Sequence, residues 1–134
     1  MAKPPRSYFD SLTRLVRTVL ETIALNRLDF NPDRVLWEIH GSKGEYQIRL
    51  KEIHTLAGRL YSYYLIRHND VVVGFDNYPD RQVLRQKYGD DFQQHLFEQT
   101  PHKHGLRKTT LELTEDMSVE AFLAFIIDDH LNLK

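Results

Sequence analysis

The sequence predicts an α+β domain: a twisted antiparallel sheet of four or five strands, flanked by an N-terminal and a C-terminal helix. Three observations predict it. Apolar and polar residues alternate from Val35 to Phe75, with the period of two that half-buried strands require. Apolar residues recur at helical spacing from Tyr8 to Ile23 and again from Val119 to Ile127. The 134 residues, 41% of them hydrophobic, suffice for one core, and no linker, repeat or low-complexity segment divides them.

Taken in order, residues 1–6 read as a short mobile tail. Ser7 caps a first helix over residues 7–28, with Asp10 completing a weak capping box and Leu12, Leu15, Val16 and Val19 on its apolar side. Asn31-Pro32-Asp33 ends the connection, and antiparallel strands fill residues 34–77. Val35, Trp37 and Ile39 face inward in the first of these. Gly41 to Gly44 is a turn by composition. Pairing His40 with Glu45 aligns Val35, Trp37 and Ile39 with Leu50, Ile48 and Tyr46. Ile53 breaks the even-numbered apolar set and predicts a bulge near Lys51-Glu52-Ile53.

Arg59 to Asn77 reads as a hairpin closed by Asn69-Asp70, residue types that tolerate the left-handed backbone of a tight turn. That register puts Leu60, Tyr64, Ile66, Val71, Val73 and Phe75 on a core face. Tyr61, Tyr63, Arg67 and Asp76 fall on the other, with Glu52 and His54 brought to the same side. Residues 78–100 form a helical insertion. A helix from Arg81 to Tyr88 ends at Gly89, and a second short one runs from Asp91 to Gln99. A histidine loop and a last strand occupy residues 101–113. Ser118 caps a final helix over 118–131, with Val119, Phe122, Leu123, Ile126 and Ile127 on its stripe.

Composition narrows the chemistry. The chain has no cysteine, which excludes disulfides, a thiolate zinc site and a cysteine nucleophile. Its net charge of −1 argues against a broad duplex footprint and leaves room for a local basic cleft. The N-terminus has no apolar run of the signal-peptide kind, and no segment is long enough to span a membrane, so a cytoplasmic protein is expected.

The sharpest local signal is Pro101-His102-Lys103-His104. In an extended segment the two imidazoles project to one side about 7 Å apart, with Lys103 opposite. Two such histidines suit proton transfer in phosphodiester cleavage, or two positions on a metal; an exposed polar loop accounts for them equally well. The Tyr61, Tyr63, Arg67, Asp76 face reads either as a platform for stacked bases with a cation for phosphate or as an ordinary amphipathic outer face. Glu52 is a candidate partner carboxylate. Arg107, with Lys103 and Lys108, supplies a short basic run.

The ordered set of Glu52, Tyr61-Ser62-Tyr63, Phe75-Asp76-Asn77-Tyr78-Pro79, Pro101-His102-Lys103-His104 and an apolar helix from Ser118 to Leu131 resembles the TumE-like family of bacterial toxins of toxin–antitoxin pairs. The similarity covers about Val35 to Leu131. One departure is Tyr78-Pro79-Asp80, where the family often continues Asp-Asn with Pro-His-His. The resemblance implies a growth-inhibiting toxin neutralised by a helix-turn-helix antitoxin, with RNA as the usual target class of such small toxins.

The leading expectation is a metal-independent endoribonuclease that needs no cofactor. His102 or His104 is its acid or base, and Glu52 or Asp76 is the partner. Lys103, Arg67 and Arg107 stabilise charge, and Tyr61 and Tyr63 stack bases. The alternatives are a non-catalytic protein-binding module using the same face, and a metal-dependent hydrolase using His102, His104 and a carboxylate.

Overall fold

A computed structural model describes residues 3–131. The class is α+β, and the sheet is larger than expected: seven strands, all antiparallel, in the order β1 to β7 along the chain. The strands are β1 (Thr22–Phe30), β2 (Arg34–Lys43), β3 (Tyr46–Thr55), β4 (Gly58–Arg67), β5 (Asp70–Asp76), β6 (His102–His104) and β7 (Leu111–Leu113). The helices are α1 (Arg6–Val19), α2 (Arg81–Tyr88) and α3 (Val119–Ile126). Among the described residues, no helix is long and apolar enough to cross a membrane.

The first helix stops at Val19 rather than Leu28, and Ser7 does not cap it. Pro5 is the N-cap, and no side chain caps that end. Phe9, Leu12 and Val16 form its buried stripe. Beyond Leu20 the chain extends into edge strand β1, where only Ile23 and Leu28 are half-buried. Gly41 accommodates this path. It lies within β2 opposite Ile23, and a Cβ there would fall 2.6 Å from Leu20 Cδ1 and 2.7 Å from the Thr22 carbonyl oxygen. The chain leaving α1 passes directly over it. Gly41→Ala must move backbone, and is expected to cost about 1–3 kcal/mol, read as a lower urea midpoint. Only Gly44, at φ 59°, belongs to the turn, so β2 and β3 pair from Lys43 with Tyr46 and Trp37 meets Glu52.

The central hairpin is one residue out of the expected register. Its turn is His68-Asn69, with both residues left-handed at φ 51° and 65°, and Arg67 pairs with Asp70. A bulge at Val72 then sets Leu65 against Val73, Tyr64 against Gly74 and Tyr63 against Phe75. A one-residue slip exchanges the two faces of a strand. Tyr61, Tyr63 and Leu65 are therefore in the core, and Ser62, Tyr64 and Ile66 are on the other face. No bulge occurs at Lys51–Ile53, where pairing is continuous on both sides.

The core lies between one sheet face and helices α1 and α3. Trp37, Ile39, Ile48, Leu50, Tyr63 and Leu65 meet Phe9, Val16, Phe122 and Ile126, all fully buried. Ser118 caps α3 by accepting from Ala121 N, as expected, and the helix passes into a wider turn over Ile127–Leu131. Asp80 caps α2 through Gln82 N and Val83 N, and Gly89 ends it at φ 61°. A 3-10 segment, Gly89–His95, follows where a helix over Asp91–Gln99 was expected. The expected strand from Leu106 is a 3-10 turn, Leu106–Lys108, leading into the short β7. Lys3 Nζ donates to the carbonyls of Asn31 and Pro32 at 2.6 Å each, which ties down part of the expected tail; Met1 and Ala2 lie outside the described residues.

Candidate functional site

Pairing between β5 and β6 assembles the site on the face away from α1 and α3. His102 lies opposite Asp76, and His104 opposite Gly74. Residues 102 and 104 are two apart on one strand, so both imidazoles project to the same side, as the spacing predicts. His102 Nε2 lies 3.0 Å from Asp76 Oδ1, and His104 Nε2 lies 3.2 Å from Asp76 Oδ2. The carboxylate also accepts from Tyr64 Oη at 2.9 Å and from the Tyr78 amide at 3.1 Å. His102 Nδ1 faces the Thr100 carbonyl oxygen at 2.7 Å, which assigns the proton to Nδ1. Asn77, next in the sequence, is structural. Its side chain accepts from Tyr61 N and donates to the Arg59 carbonyl, locking the end of β5 to β4.

Gly74 makes room for this arrangement. Any Cβ there would fall 2.1 Å from the Tyr64 ring, which crosses the glycine to reach Asp76. The Tyr64 and His104 rings stack with centroids 6.1 Å apart, and Lys108 Nζ sits 5.0 Å from the Tyr64 centroid.

The electrostatics follow from burial and pairing. For Asp76, desolvation pushes the pKa up, but hydrogen bonds from His102 and Tyr64 outweigh it and hold the carboxyl below its ordinary 3.8. Burial pushes His102 down, and the Asp76 carboxylate and Thr100 carbonyl overcome this and raise it above 6.5. His104 falls below 6.5, chiefly through desolvation, with the charges of His102 and Lys108 adding to it. The two histidines are thus inequivalent. Both line a cleft of about 410 Å³, but His102 is 1% exposed with both ring nitrogens engaged, whereas His104 is 13% exposed. Lys51, Ser62, Tyr78 and Lys108 line the same cleft.

The remaining residues singled out in the sequence do not join this cluster. Tyr61 and Tyr63 are fully buried and stack on each other at 4.9 Å, so neither presents a face to a base. Glu52 and His54 are on the core face with them. Glu52 accepts from Tyr63 Oη at 2.5 Å and Tyr8 Oη at 3.0 Å, and its Oε1 lies 2.8 Å from His54 Nε2. Lys103 points to the α3 side, 5.2 Å from the Phe125 centroid. Arg67 is exposed at the hairpin tip beside Tyr46 and Glu45. Arg107 is exposed in the 3-10 turn at φ 54°. The composite of Tyr63, Glu52 and the histidine loop therefore does not form, because the hairpin register puts the sheet between them. Asp76, His102 and His104 do meet. The residues that sequence reasoning left out are Tyr64, Lys51 and Ser62; the Tyr64–Gly74 pairing locates the first only with both the His68-Asn69 turn and the bulge at Val72.

What the fold and site define is a seven-stranded antiparallel α+β domain carrying a carboxylate–dihistidine cluster at the mouth of an open cleft. Among known proteins, no family model, no curated protein and no solved structure matches the chain.

Proposed function

We propose that this chain is the toxin of a bacterial toxin–antitoxin pair, held in check by a helix-turn-helix antitoxin, and that it cleaves RNA at the Asp76–His104 site. The observation that carries the reading is the convergence of Asp76, His102 and His104, from two motifs far apart in the chain, at an open cleft with two lysines. In the reaction the RNA 2′-oxygen forms a bond to the adjacent phosphorus and the bond to the 5′-oxygen breaks. A 2′,3′-cyclic phosphate and a 5′-hydroxyl result. His104, the less buried imidazole, takes the 2′-hydroxyl proton while Asp76 orients its ring, and water in the open cleft protonates the departing 5′-oxygen. His102 is a positioning residue that fixes Asp76. Lys51 and Lys108 stabilise the extra charge of the phosphorane.

A specific observation favours a second reading, hydrolysis by a bound metal. The ligand atoms of Asp76, His102 and His104 all lie within 4.8 Å of one another. The His102 Nδ1 contact with the Thr100 carbonyl is also the outer contact typical of a ligating histidine. One experiment separates the two. Purified protein is incubated with RNA with and without EDTA, its metal content is measured, and the product ends are mapped. The first reading expects cyclic phosphate ends, full activity in EDTA and loss in His104→Ala. A stoichiometric transition metal and loss in EDTA decide for the second. Intact RNA under every condition overturns both.

A further inference from the structure

The sheet face that carries the site continues well beyond it. Pairing through β6, β5, β4, β3 and β2 lays out one cross-strand row, His102, Asp76, Ser62, Lys51, Glu38. Beside it runs a second, His104, Gly74, Tyr64, Arg49, His40. At about 4.8 Å per strand the two rows span roughly 19 Å. Three clefts follow them. The cleft at the site shares Lys51, Ser62, Tyr64 and Lys108 with a neighbour of about 390 Å³, which shares His40 and Arg49 with a third of about 340 Å³. Together they make one groove from Asp76 to His40.

The charges along the groove are not balanced in pairs. Among the described residues, Arg49, Lys51 and Lys108 have no carboxylate at ion-pair distance, whereas Arg27, Arg59, Arg67 and Lys87 each have one. The carboxylates at the reacting end of the groove are already engaged. Asp76 holds the two histidines and Asp80 caps α2; Glu38 stands opposite Lys51 in the first row, beyond ion-pair distance from it. Three cations without an ion-pair partner therefore flank the groove, Lys108 over Tyr64 and Lys51 and Arg49 two residues apart on β3, on a protein whose net charge is −1. A compact anion uses one such cation; a succession of them fits a chain with repeated negative charge. The footprint is too narrow in basic residues for a duplex.

We propose that this groove holds single-stranded RNA, which crosses from β6 to β3 and then follows β3 from Lys51 to Arg49. Successive phosphates sit on Lys108, Lys51 and Arg49, and the scissile one lies at His104. The inference deepens the RNA-cleavage reading and rests on it for the reacting end. The binding track itself is measured separately.

The test uses the full chain and a fluorescent 2′-O-methyl oligouridine of about twelve nucleotides, which lacks the attacking hydroxyl and cannot be cleaved by transesterification. Anisotropy is recorded against salt for the wild type, Arg49→Glu, Lys51→Glu and Arg14→Glu. The last makes the same charge change on α1, remote from the groove. Each groove variant is expected to weaken binding about tenfold and to lower the slope of log affinity against log salt by about 1, with Arg14→Glu near wild type. Equal losses in all three variants, no measurable binding, or equal affinity for a duplex overturns the proposal. So does an acidic peptide that displaces nothing from the RNA yet needs Arg49 and Lys51, which assigns the groove to a protein. Groove-dependent binding with no cleavage of unmodified RNA leaves the track standing and sinks the catalytic reading instead.

Discussion

Asp76→Asn is expected to lower RNA cleavage by about 10²–10⁴-fold while the protein stays folded. The substitution keeps the size of the side chain, and its carbonyl oxygen can still accept from the Tyr78 amide that closes the turn after β5. What it removes is the negative charge facing His102 Nε2 at 3.0 Å and His104 Nε2 at 3.2 Å. Without that charge His102, 1% exposed, has no counter-ion, and His104 is no longer held with one nitrogen inward and its open edge on the cleft. The measurement is the single-turnover rate on a short RNA beside the thermal midpoint. Tyr64→Phe gives the graded comparison. It removes one hydroxyl from the same carboxylate and is expected to cost far less, because the charge stays. Near wild-type rates in Asp76→Asn would move the chemistry elsewhere on the protein.

Glu52→Leu is expected to cost about 3–5 kcal/mol of stability. Glu52 is 1% exposed, and its two oxygens serve Tyr8, Tyr63 and His54. Leucine fills the space and leaves two hydroxyls and an imidazole without their acceptor. For a domain whose whole stability is about 5–15 kcal/mol, that is a substantial fraction. The effect carries a sign in pH. Burial raises the Glu52 pKa, and the hydrogen bonds from His54 and Tyr63 outweigh it, so the folded value lies below the ordinary 4.5. The unfolded chain therefore binds a proton first as pH falls. The contribution of the ionised group is complete above about pH 4.5 and is lost as pH falls through the folded value. Urea midpoints of the wild type and Glu52→Gln are expected to differ most near neutrality and to converge in acid. Parallel curves would show that the charge of Glu52 contributes nothing.

Both predictions depend on which face a residue occupies, and that was the hardest thing to read from the chain. Strand β4 alternates two sets of nearly equal hydrophobicity: Leu60, Tyr64 and Ile66 against Tyr61, Tyr63 and Leu65. Tyrosine is at home on either face, having an apolar ring and a polar tip. Either His68-Asn69 or Asn69-Asp70 can close the turn, a choice that moves partners by two and keeps the faces; the bulge at Val72 takes one residue back, and that exchanges them. Edge strand β1 carries no strand pattern in the sequence for a related reason. Its two half-buried residues, Ile23 and Leu28, are five apart, and the bulge at Asn26 puts them on one face without a period of two.

By itself the sequence determined the α+β class, the C-terminal helix with its Ser118 cap, the Asp80–Gly89 helix and the paired projection of His102 and His104. These rest on local rules, namely periodicity, capping and the alternation of a strand. Tertiary structure alone decided between Asp76 and Glu52 as the carboxylate that meets the histidines, and put Glu52, Tyr61 and Tyr63 on the other side of the sheet. That outcome follows from long-range register, where the sheet pairs residues as far apart as Asp76 and His102, and a shift of one position reverses every side chain on a strand.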